Sequence, residues 1–180
     1  MKSILISIKP KHCANILNGL KTREIRKRFP KDYRGWVYIY CTKEDSLCCI
    51  KRIDRDRYIC GKDFDIKDFP QLSSGYEGKG KVVARFYCDD VDSFYYFDDD
   101  LLELACIDRE QALDYLGKKE GYAINISNLE IFDTPKELNE FYNRYPKGDL
   151  PLGKWKHGLL AMKQITKAPQ SWCYCETDDN

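Results

Sequence analysis

The run Gly19-Leu20-Lys21-Thr22-Arg23-Glu24-Ile25-Arg26 constrains this chain more than any other. It sets four charged side chains just behind a turn glycine, where a buried strand would ordinarily carry few. Read as an extended segment, its side chains alternate faces. Thr22, Glu24, Arg26 and Arg28 then share one side, and Arg23, Ile25 and Lys27 share the other. Gly19 permits the bend out of a preceding helical pattern, with Lys21 entering from the rim. Glu24 and Arg26 become neighbours, an arrangement suited to an anionic or amide-bearing ligand. The same pair also suits a structural ion pair that closes the fold and orients the strand.

The surrounding pattern is that of one mixed domain. Residues 3–8 alternate as a first strand, and Pro10 opens a helix whose apolar face is Cys13, Ala14, Ile16 and Leu17. Residues 36–41 and 80–88 read as strands rich in aromatic and β-branched residues. Between them, 43–79 reads as a long insertion with a small hairpin of its own. A helix is expected near 101–106 and a second over 109–116, capped by Asp108 and ended by Gly117. Residues 121–126 and 129–132 read as strand, a helix is expected from Pro135 with Leu138, Phe141 and Tyr142 inward, and 159–165 gives a last strand. Strands with a few short helices and no regular β-α-β spacing predict an α+β fold, a small mixed β-barrel flanked by short helices. One domain over 1–175 is expected, with 176–180 a frayed tail.

Charge is separated along the chain. Residues 1–36 hold ten lysines and arginines against two acids, and 89–115 hold ten acids against one arginine. Either a positive face attracts phosphates, or the two segments neutralise each other within the fold. Nine cysteines without a Cys-x-x-Cys pair, and only two histidines, read as free thiols in a reducing cytoplasm; no metal is expected. A site at Cys48, Cys49 and Cys60 is the sharper and weaker alternative. His12 and His157 read as satisfied surface or core residues. No run approaches a membrane span, and the N-terminus lacks a signal-peptide centre, so a cytoplasmic protein with no membrane association is expected.

Gly19-x-Lys21-x-x-Glu24-x-Arg26, placed after a strand and one helix, resembles the Gly-x-Lys-x-x-Glu-x-Arg signature of ASCH domains, small barrels of the PUA-like superfamily. Ser7-Ile8-Lys9-Pro10, Lys81-Val82-Val83-Ala84, Gly121-Tyr122-Ala123-Ile124 and the closing Pro169-Gln170-Ser171-Trp172-Cys173-Tyr174 agree with it. The resemblance implies a cleft lined by the signature that binds RNA or a modified nucleoside, with Lys9, Lys21, Glu24, Arg26, Arg28 and Tyr122 as binding residues and no cofactor. Some members that share the signature are amidohydrolases on N4-acetylcytidine. There the lysine at the position of Lys21 is catalytic, a threonine stands where Glu24 stands here, and a later glutamate assists; Glu103 is the nearest candidate. Others have been proposed as ribonucleases. If this chain is an enzyme, Lys21 and Glu24 are the catalytic pair, and a metal-independent hydrolase is the alternative to a binding module. A regulatory protein-interaction module is the second alternative.

Overall fold

The computed structural model describes residues 2–45, 47–52, 58–61, 72–117, 119–144 and 162–177. At its centre β1 (Ser3–Ile8) lies parallel to β3 (Gly35–Cys41) and antiparallel to β13 (Trp172–Thr177). Beyond β3 come β7 (Val82–Cys88) and then β10 (Ser127–Lys136). Beyond β13 come β11 (Phe141–Arg144) and β12 (Met162–Gln164), completing a seven-stranded mixed sheet. The period-2 alternation of β1 and β3 divides the core. Ile4, Ile6, Ile8, Val37, Ile39 and Cys41 pack on one side, and Leu5, Tyr38 and Tyr40 on the other with Phe141. Each such fully buried side chain contributes roughly 2 kcal/mol.

A second sheet orders β2 (Arg23–Arg26), β9 (Gly121–Asn125) and β8 (Val91–Phe94). One of its faces joins the main core through Ile124, Val91 and Tyr122. Its other face, with Ile25 and Ala123, is covered by α2 (Asp99–Leu104) and α3 (Arg109–Leu116) through Leu102, Ala105, Ala112 and Leu116. Asp98 and Asp108 cap these helices by accepting from Leu101 N–H and Gln111 N–H at 2.7 Å each. The insertion forms a third sheet, in which β4 (Cys48–Arg52) lies between β5 (Tyr58–Gly61) and β6 (Leu72–Glu77).

Two expectations are corrected. The described strands form three open sheets and do not close into a barrel. The β8–β9 pair follows the β7–β10 pair along the same two chain segments, joined by Asn125 N–H donating to Asp90 C=O at 3.0 Å, but the ladder breaks there, and β2 beyond β9 pairs with no described strand of the main sheet. The expected helix from Pro135 is strand. Residues 127–136 run as an edge strand, where proline's missing N–H is tolerated, and after one 3-10 turn at Leu138–Glu140 the chain becomes β11. There Phe141 is fully buried and pairs with Thr177. Strand β13 thus runs through Glu176 and Thr177. The expected strand over 159–165 is described from residue 162.

Candidate functional site

Helix α1 (Pro10–Leu17) follows β1 and turns at Gly19, whose φ of +74° suits a residue without Cβ. The amides of Leu20 and Lys21 both donate to Asn15 C=O, at 2.9 and 3.0 Å, and swing the chain back toward the fold. Thr22 N–H then donates to Leu104 C=O at 2.9 Å and fixes β2 against the end of α2. In register, Glu24 lies opposite Ile124 and Arg26 opposite Tyr122. These four side chains therefore share the face toward the main sheet, while Ile25 and Ala123 face the helices.

Lys21, Glu24 and Arg26 meet at one point. The Glu24 carboxylate accepts from Arg26 Nη2 at 2.9 Å and lies 3.4 Å from Lys21 Nζ. Lys21 Nζ also donates to Ala105 C=O at 2.6 Å, and Arg26 Nη2 to Ser7 C=O at 2.6 Å. Arg26 Nη1 reaches Ser171 Oγ only at 3.5 Å. The three residues are 3, 6 and 8% exposed, so Lys21 is not at a rim, as its place beside Gly19 suggested, but inside. Burial pushes the Glu24 carboxyl up. The charges of Arg26, Lys21 and His12 outweigh it and hold the group below the ordinary carboxylate range.

His12, set aside in the sequence, belongs to this cluster. It is half-buried on α1, and its Nδ1 has no hydrogen-bond partner. Burial lowers its affinity for a proton; Lys21, Lys11 and Arg26 lower it further against the opposing pull of Glu24. The signal was its spacing: His12 precedes Ile16 by one helical turn and so flanks the buried stripe. Arg26 Nε is likewise buried without a partner.

Other expected residues lie apart. Lys9 is exposed and pairs with Glu44 at 3.1 Å. Arg28 is exposed, and its carbonyl accepts from Trp172 Nε1 at 2.7 Å. Tyr122 sits beside Arg26 across the β2–β9 pair, but its hydroxyl donates to Glu120 at 2.9 Å. Glu103 is an exposed residue of α2. Tyr38 and Tyr40 are core residues, and Trp36 lies under the Arg85 guanidinium, 4.3 Å away. The acidic segment partly neutralises the basic one: Arg34 pairs with Asp90 at 2.7 Å and Arg23 with Asp92 at 3.5 Å. Among the described residues no three His, Cys, Asp or Glu side chains are grouped to hold a metal. No described helix is long and apolar enough to cross a membrane.

Among the described residues, strands in mixed and antiparallel sheets with three short helices make an α+β fold. Compared with solved structures, the chain is similar to the ASCH protein of Zymomonas mobilis, with a TM-score of 0.50 and 18% identity over 76% of this chain and 74% of that one. Two single-substitution variants of that protein give TM-scores of 0.49 and 0.47 at 18 and 19% identity, covering 77 and 76% of this chain and 77 and 75% of theirs. The fold is that of an ASCH domain. No family model and no curated protein matches the sequence.

Proposed function

We propose that this ASCH-fold protein binds RNA or a modified nucleoside, and that Lys21, Glu24 and Arg26 with His12 form the heart of its site. The observation carrying this reading is the excess of buried positive charge. Two cations surround one carboxylate in a place about nine-tenths removed from water. A purely structural brace is served as well by a neutral pair, and burying surplus charge is costly. In this reading Tyr122, next to Arg26, offers a ring face to a base, while the exposed Lys9 and Arg28 meet phosphates.

Filter binding with single-stranded RNA tests the proposal. Wild type is expected to retain RNA in a salt-dependent way, and Lys21→Ala and Arg26→Ala to lose that retention while still melting cooperatively. Retention unchanged in both folded variants refutes it.

A hydrolytic reading is favoured by the same two cations, which would stabilise a developing oxyanion. Glu24, held as a carboxylate, is then a weak proton acceptor. Chromatography of N4-acetylcytidine and of RNA after incubation decides it: product that disappears in Lys21→Ala supports an enzyme, and no product removes this reading.

A further inference from the structure

We infer that the cluster holds a phosphate-type oxyanion, seated between Arg26 Nε and the His12 ring. This rests on the binding reading above and names the part of the ligand that the buried residues recognise.

Charge comes first. Lys21 and Arg26 carry two positive charges and Glu24 one negative, and the carbonyls of Ser7 and Ala105 add dipoles but no charge. One positive charge in the buried cluster is left without a counter-charge. A neutral nucleobase edge does not supply it, and a metal cation would worsen the imbalance.

Hydrogen bonding points the same way. Arg26 uses Nη2 twice, toward Ser7 and Glu24, and Nη1 only weakly toward Ser171. Its Nε, on a side chain 10% exposed, has no partner. His12 Nδ1, on a ring whose charge is felt by the same carboxylate, has none either. An acceptor-only anion satisfies both when His12 carries its proton on Nδ1, with Nε and Nη1 of the guanidinium gripping two of its oxygens. Buried polar atoms left unpaired are uncommon in folded proteins, and two around one carboxylate mark a shared missing partner.

Among the described residues the charged groups acting on His12 are Lys21 just before β2, Glu24 and Arg26 from β2, and its own-helix neighbour Lys11. Protonating the ring adds a second positive charge beside the oxyanion. Affinity for the anion therefore rises as pH falls, through His12.

Calorimetry at low salt with cytidine, cytidine monophosphate and inorganic phosphate tests this. The nucleotide is expected to bind about tenfold or more tighter than the nucleoside, since a charge-assisted contact is roughly twice as strong as a neutral one. Inorganic phosphate should compete with it, which separates a phosphate requirement from a base requirement. Arg26→Lys keeps the charge, removes the fork, and should lose most of the preference. His12→Gln should weaken the nucleotide several-fold and, measured with a phosphodiester dinucleotide whose charge is constant over the range, abolish the affinity gain between about pH 8 and pH 5.5. Should Arg26→Lys fail to fold, His12→Gln and the wild-type preference still decide the matter. Equal affinity for nucleoside and nucleotide overturns the oxyanion site and leaves the binding reading standing. Nucleotide preference untouched in His12→Gln also overturns it. No binding of any of the three, with RNA also unretained, removes both.

Discussion

Replacing Glu24 by glutamine changes one atom's chemistry and should be among the most destabilising isosteric changes available to this chain. The carboxylate accepts at 2.9 Å from Arg26 and lies 3.4 Å from Lys21. At an effective dielectric constant of about 20, each such contact has a gross attraction on the order of 5 kcal/mol. Mutual repulsion of the two cations and the desolvation of three ions offset most of that sum. The cost of removing only the anion is larger than the net worth of the cluster, because two cations then stay buried with nothing between them. Breaking buried pairs in this way costs about 3–5 kcal/mol. Urea unfolding followed by far-UV circular dichroism should show a lower midpoint at unchanged slope for Glu24→Gln at pH 7. The pH dependence supplies an independent check. Glu24 titrates below the ordinary 4.5 when folded, so its contribution is present above that value and is lost as pH falls through the lowered one. The gap between wild type and Glu24→Gln should therefore shrink in acid. A cost under about 1 kcal/mol at pH 7, as for exposed pairs, refutes a desolvated ionic cluster.

His12 has the opposite charge type, and its proton affinity is lowered from the ordinary 6.5. The unfolded chain takes up that proton first, so wild-type stability should fall as pH drops below about 6.5, and His12→Gln should flatten that limb of a melting-temperature profile. Gly121→Ala should destabilise by about 1–3 kcal/mol in urea. An added Cβ would stand 2.5 Å from Leu116 Cδ1 and 2.7 Å from Phe94 Cζ, both packed inside the α2–α3 core. Asp108→Ala should cost about 1 kcal/mol by removing the acceptor for Gln111 N–H, with the loss read by calorimetric melting.

Much of this architecture is legible in local sequence. The alternation of residues 3–8, the proline at the start of α1, Asp108 and Gly117 around α3, and the aromatic runs of β3 and β7 each state their own conformation. The face shared by Glu24 and Arg26 follows from period 2 alone, and their spacing to Lys21 marks the cluster. What local pattern does not carry is pairing at long range. Leu138, Phe141 and Tyr142 have the spacing of a helix, yet β13 arrives from over thirty residues later to pair with Phe141 and Tyr142. Whether sheets close depends on which faces meet, and Ile124 packing onto the main core is invisible in its own segment. His12 is hard to place from its own segment for the same reason: its environment is made by β2 and the turn before it, and only the fold brings Lys21, Glu24 and Arg26 to it.

The most direct test watches Arg26 itself. Nitrogen-15 NMR resolves an arginine Nε–H that is shielded from solvent, and Arg26 Nε is buried and unpartnered. Titration with short single-stranded RNA should move that resonance to saturation at one ligand per chain and slow its exchange with water, as a new acceptor takes the proton. RNA that binds while this signal stays fixed would place recognition elsewhere and leave the cluster as a brace between sheets.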